Sequence, residues 1–137
     1  LDVNAAGIPT ARPCDVEGTE FDFRSRKPIW TDRTIQSIDH NFCLCNKRRE
    51  ITEVGTLFGE AILMKIETTE PGLQVYTGLN LPTTNAKQEE LRPIKAHAGI
   101  ALEAQIWPDA PNHKDFPNAF LDVGETYSHH TRYSFLV

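Results

Sequence analysis

Residues 99–107 read Gly-Ile-Ala-Leu-Glu-Ala-Gln-Ile-Trp. In an extended chain, neighbouring side chains point to opposite sides. One side then carries Ile100, Leu102, Ala104 and Ile106, and the other Ala101, Glu103, Gln105 and Trp107. A period of two over this length predicts a β-strand from Ala98 to Trp107. The same period recurs outward from it, in Thr19–Arg24, Ala61–Glu67, Leu73–Asn80 and Glu125–Val137. Only Thr31–Ile38 and Asn85–Leu91 read as short helical turns. Glu70-Pro71-Gly72 and Val123-Gly124-Glu125 have the residues of tight connections within an antiparallel sheet. Trp107–Phe120, with three prolines, reads as an ordered irregular loop. The expected fold is all-β, mostly antiparallel, with few short helices, and no linker interrupts a single domain over residues 1–137.

Composition narrows the function. The 137 residues are 39% hydrophobic and 24% charged, the balance of a folded domain able to bury roughly two-thirds of its unfolded surface. Fourteen Lys and Arg against nineteen Asp and Glu give a net charge of −5, the wrong sign for a phosphate-backbone binder, so neither nucleic acid nor an anionic membrane is an expected partner. No apolar run approaches the ~20 residues that a spanning helix needs. Three cysteines, Cys14, Cys43 and Cys45, cannot all pair within one chain, and no Asn-x-Ser/Thr sequon occurs. Both features point to a reducing cytoplasm. Starting at Leu1 without methionine and ending on an apolar run at Val137, the chain reads as a piece of something longer.

Glu103, Gln105 and Trp107 on one strand side suit a sugar. A carboxylate and an amide about 7 Å apart orient hydroxyls, an indole face packs on C–H surface, and partial desolvation raises the pKa of a glutamate. The same pattern also fits a solvent-facing strand side with a tryptophan lying across it. Gln74, Tyr76 and Asn80 share a side of their own segment and can hydrogen-bond a polyol, as any polar surface can. Asp39-His40-Asn41 sends Asp39 and Asn41 to one side and His40 to the other, which disfavours a local Asp–His dyad. His40, His97, His113, His129 and His130, with Cys43-x-Cys45, match no zinc-ligand spacing, so no metal is expected. No Gly-x-Ser-x-Gly is present, and Lys47-Arg48-Arg49 reads as a solvated turn.

Several segments together resemble the galactose mutarotase (aldose 1-epimerase) family. They are Asp39-His40-Asn41-Phe42-Cys43-Leu44, Pro71-Gly72-Leu73-Gln74-Val75-Tyr76-Thr77-Gly78 and Gly99-Ile100-Ala101-Leu102-Glu103-Ala104-Gln105, in that order. Trp107-Pro108-Asp109-Ala110, Asn112, Phe116-Pro117, Gly124-Glu125-x-Tyr127 and a Thr-x-Tyr-x-Phe ending at Phe135 continue the pattern. The resemblance implies a galactose-mutarotase-like β-supersandwich, interconversion of the α and β anomers of a free aldose such as galactose or glucose, and no cofactor. It implies Glu103 as the general base at the anomeric O1 hydroxyl, with Asp39 and Gln74 binding sugar hydroxyls.

Opening a hemiacetal removes a proton at O1 and adds one at O5, and a single carboxylate does only the first. The family's acid, a histidine in a His-Pro-x-x-x-Asn type motif, lies upstream of the region that this chain resembles, together with a further histidine and an arginine. These motifs are absent from the 137 residues, which therefore read as the C-terminal portion of an aldose 1-epimerase domain. Two classes of function follow. One is an enzyme part completed by an N-terminal half or by another chain, and the other is a non-catalytic carbohydrate-binding or structural β-module.

Overall fold

The alternation around Glu103 becomes one edge of a three-stranded antiparallel sheet. The computed structural model describes residues 1–10, 12–31, 34–81 and 94–137. Its strands are β1 (Asp39–Cys43), β2 (Thr52–Phe58), β3 (Leu63–Thr68), β4 (Gly72–Tyr76), β5 (Ala101–Gln105) and β6 (Thr131–Leu136). They form two antiparallel sheets, ordered β1-β4-β5 and β2-β3-β6. The only helical element among the described residues is one 3₁₀ turn, Ala110–Asn112. The all-β expectation holds.

The sheets face each other. His40, Phe42, Leu73, Val75 and Leu102 of the first sheet and Val54, Leu57 and Ile66 of the second line one space of about 640 Å³ between them. The Tyr133 hydroxyl on β6 donates to the Leu102 carbonyl at 2.9 Å, a direct bond from one sheet to the other. The outer side of the second sheet carries Lys65 on Glu53 (3.1 Å) and Arg132 on Glu67 (2.6 Å), with Leu63, Phe58 and Leu136 on the same side at one end.

The start of β1 is tied to the end of β4 by Thr77, which is almost fully buried. Its hydroxyl accepts from the Ile38 amide at 2.8 Å and donates to the Gln36 carbonyl at 3.0 Å. Gly78 then takes φ +75°, and a Cβ there would stand 2.8 Å from the Gly99 carbonyl oxygen. Both demands select glycine at this turn.

Several sequence expectations need correction. Glu70-Pro71-Gly72 does not join neighbours in one sheet: β3 and β4 lie in different sheets, and residues 69–71 carry the chain across. Thr19–Arg24 is not a strand. The Thr19 hydroxyl accepts from the Phe21 amide (3.2 Å) and Asp22 Oδ1 accepts from the Arg24 amide (3.1 Å), so local side chains take the N–H groups that a ladder needs. Hydrogen bonds from Arg24 also pull the Asp22 carboxyl down to about 2. Phe21 and Phe23 pack instead on His40 and Phe42. The described residues of Thr31–Ile38 form no helix, and Ile35 makes an isolated antiparallel bridge to Trp30. Asn85–Leu91 lies outside the described residues. The last strand starts at Thr131 and not at Glu125, because 125–130 is occupied with contacts to the crossover: His130 accepts from Thr69 N at 3.0 Å. β2 was not expected at all, since a bulge between Glu53 and Gly55 breaks its alternation.

Lys47-Arg48-Arg49 is not a solvated run either. Arg48 Nε donates to Glu70 Oε1 at 2.9 Å, its guanidinium lies 4.5 Å over the Tyr127 ring, and Glu70 is 0% exposed. Removing the cation leaves that buried carboxylate with only a long hydrogen bond from the Tyr127 hydroxyl, 3.5 Å. Because Arg48 is itself 35% exposed, Arg48→Met is expected to cost roughly 2–4 kcal/mol, at or below the range for a fully buried pair. Thermal melts check this: Arg48→Met should lower Tm clearly, whereas Arg132→Met, on the exposed outer face, should leave it nearly unchanged.

Candidate functional site

Strand register places the site. Asp39 pairs with Tyr76, Asn41 with Gln74 and Cys43 with Gly72 across β1 and β4, and Tyr76 pairs with Ala101, Gln74 with Glu103 and Gly72 with Gln105 across β4 and β5. Directly paired residues share a face. Asp39, Asn41, Gln74, Tyr76, Glu103 and Gln105 therefore stand together on the side away from the other sheet, around a hollow of about 420 Å³ also bordered by residues of the Leu1–Pro9 segment and by Pro108.

All three residues singled out from the sequence line this hollow. Gln74 Nε2 donates to Asp39 Oδ1 at 2.8 Å, which fixes the amide so that its oxygen and second N–H remain for a ligand. Glu103 follows in the same row, one strand beyond Gln74. Both carboxylates are exposed, so these residues do not supply the desolvation of Glu103 expected from its neighbours. His40 lies on the opposite face, its ring centroid 4.4 Å from that of Phe21, and no Asp39–His40 dyad forms.

Trp107 departs from expectation. It is 5% exposed, its indole N–H donates to the Pro71 carbonyl at 2.9 Å, and its ring meets Phe116 edge-on at 5.1 Å. With Ala110 and Phe116 it makes a small core under the loop that follows β5, so it is not a platform for a sugar. Tyr76 is the aromatic residue at the hollow; its hydroxyl accepts from the Asn80 amide at 2.6 Å. Asn80 itself lies in the turn after β4 and not on the strand.

Asn41 is the residue that the sequence reading left unassigned. It is 4% exposed, and its side chain leans over Gly72. A Cβ at position 72 would stand 2.7 Å from Asn41 Oδ1 and 3.0 Å from the Trp107 ring. The Pro-Gly pair in the sequence was the signal for this close approach, there read as a turn. Burial pushes the neighbouring Cys43 thiol up from its ordinary value. Among the described residues no group of His, Cys, Asp and Glu is placed to hold a metal ion, and no helix is long and apolar enough to cross a membrane.

The family described as aldose 1-epimerase matches residues 1–134. The galactose mutarotase of Rattus norvegicus is 39% identical over 144 residues, covering 100% of this chain and 41% of the relative. That of Homo sapiens is 37% identical with the same coverage. The aldose 1-epimerase of Escherichia coli (strain K12) is 36% identical over 147 residues, covering 99% of this chain and 42% of the relative. The chain thus spans about two-fifths of the length of these relatives.

The contact over Gly72 has a measurable consequence. Gly72→Ala forces Asn41 and Trp107 apart and is expected to cost roughly 1–3 kcal/mol, as overpacking does. Gly99→Ala, where no atom lies within 4 Å of the added methyl, should melt within about two degrees of the parent, since a surface change away from such contacts costs about 0.5 kcal/mol at most.

Proposed function

The chain belongs to the aldose 1-epimerase family, and on that footing we propose that it carries the base and part of the sugar-binding face of an enzyme interconverting the α and β anomers of free aldoses such as galactose and glucose. The observation that supports this most is the convergence of Asp39, Gln74 and Glu103, distant in sequence, on one side of one sheet around a single hollow. In this reading residues 1–137 are one domain portion, and the three free thiols suit the cytoplasm.

The reaction assigns each residue a task. Glu103 takes the O1 proton as the C1–O5 bond breaks, leaving an aldehyde at C1 and an oxygen at O5 that needs a proton. Rotation about C1–C2 and return of the protons close the other anomer, so protons and electrons balance without a redox partner. Asp39, an acceptor only when ionised, and Gln74, both donor and acceptor, hold ring hydroxyls so that O1 stays on Glu103.

The acid at O5 comes from outside these residues. Among the described residues no histidine lines the hollow. His97 Nδ1 is 2.7 Å from the Thr77 carbonyl oxygen, His113 pairs with Asp109 at 3.1 Å, and His129 and His130 bond Thr131 and Ser128. An upstream half of the protein, or another chain, supplies the donor.

Polarimetry of anomer interconversion tests both parts. Residues 1–137 alone should show no rate above the uncatalysed one, and adding the N-terminal half of a full-length relative in trans should restore turnover. In that reconstituted protein Glu103→Gln keeps shape and loses basicity, and kcat should fall by about 10²-fold or more. Near-parent kcat in Glu103→Gln would remove the base assignment. Robust activity from the isolated chain would mean that one of its own histidines is the acid.

A further inference from the structure

Three buried side-chain atoms have no hydrogen-bond partner among the described residues: Asn41 Oδ1, Arg49 Nε and Glu70 Oε2. The last two lie beside the crossover between the sheets, where Arg48 already holds Glu70. Asn41 alone of the three borders the polar hollow. Buried polar atoms are nearly always paired, so an unpaired one at a cavity wall marks a place where a partner belongs.

The partner's chemistry follows from the surroundings. Oδ1 is an acceptor and needs a donor. Gln74, directly opposite on β4, donates one N–H to Asp39 and none to Asn41, and the nearby Leu1 ammonium donates to the Asn41 backbone carbonyl at 2.7 Å, not to its side chain. The carboxylates of Asp39 and Glu103, when ionised, have no proton to give. What bonds the Asn41 side chain is a long contact from Nδ2 to Cys43 Sγ, 3.7 Å, so turning the amide about its Cβ–Cγ bond toward the hollow breaks little. A neutral molecule with several hydroxyl donors fits this wall; a carboxylate or phosphate would meet two acidic side chains.

Register gives Asn41 a position relative to the proposed base. Asn41, Gln74 and Glu103 form one row across β1, β4 and β5, with Gln74 between the other two. Adjacent strands are spaced about 4.8 Å apart, so Asn41 stands two strand spacings from Glu103, at the far end of the same row.

We propose that Asn41 is a further sugar-contacting residue, whose side-chain oxygen accepts a hydrogen bond from a hydroxyl remote from O1 and so helps to set which aldose is held. This rests on the reading of the hollow as an aldose site. Gly72 belongs to the same device, because only a residue without Cβ leaves room for the Asn41 amide above β4.

The test is a titration of ¹⁵N-labelled residues 1–137 with galactose, raised to its solubility limit and followed by NMR. The Asn41 side-chain signal is identified as the one lost in Asn41→Asp. The side-chain amides of Asn41 and Gln74 should shift together with one dissociation constant. Asn41→Ala should weaken binding by about tenfold, the loss of one hydrogen bond, while Asn41→Asp, which keeps an oxygen acceptor, should stay within about threefold of the parent. Shifts at Gln74 without any at Asn41, or an Asn41→Ala affinity within about twofold of the parent, would overturn the inference and leave the sugar face standing. No shift at Asp39, Gln74 or Glu103 would overturn the aldose-site reading itself, and Asn41 with it.

Discussion

One carbonyl oxygen, that of Pro71, receives the amide N–H groups of Leu44 and Cys45 at 2.9 and 3.2 Å and the indole N–H of Trp107 at 2.9 Å. It sits where the chain passes from one sheet to the other, and both halves of the architecture depend on it. The residue before it is the fully buried Glu70, held by Arg48, and the residue after it opens β4, the central strand of the sheet that bears the site. A crossover of three residues leaves no slack, so the position of Gln74 on β4 follows from how residues 69–71 are held. Segments following β1 and β5, and the one preceding β6, all bond to these three residues, which ties the sandwich together at the end from which the site strand starts.

From that point the two faces of the β1-β4-β5 sheet have different chemistry. His40, Phe42, Leu73, Val75 and Leu102 turn toward the second sheet, while strand register puts Asp39, Asn41, Gln74, Tyr76, Glu103 and Gln105 on the other side. The apolar face supplies the burial that holds the sheet, at about 25 cal/mol per Å² removed from water. The polar face is thereby free to carry carboxylates and amides that a core would not tolerate unpaired. The rigid pairing also fixes the spacing of these groups, which a loop would not do.

The face that carries the candidate site was more legible in the sequence than the topology around it, and the reason is local. Alternation in Gly99–Trp107 and Leu73–Asn80 reports which residues share a face, and the motif resemblance selected Asp39, Gln74 and Glu103 from that face. Topology is not written in alternation. Nothing in Glu70-Pro71-Gly72 distinguishes a hairpin from a passage between sheets; the distinction lies in Arg48, Leu44 and Trp107, which are far away in sequence. The false strand at Thr19–Arg24 has the right period but gives its amides to Thr19 and Asp22, and β2 lost its period to a bulge. Trp107 has the parity of the site face, yet its indole is drawn under the following loop by Pro71, Ala110 and Phe116. Asn41 stayed unassigned because its role depends on a missing Cβ across the strand pair.

In the proposed reading an aldose meets the polar face of the β1-β4-β5 sheet and not the apolar space between the sheets. An isotope-filtered NOE experiment on ¹³C-labelled residues 1–137 with unlabelled galactose decides between them. Contacts from the sugar ring protons to the Tyr76 ring and the Gln74 side chain, with none to Phe42, Val75 or Leu102, are the predicted result. Contacts to Phe42, Val75 or Leu102 instead would place the ligand on the wrong side of the sheet and contradict the account.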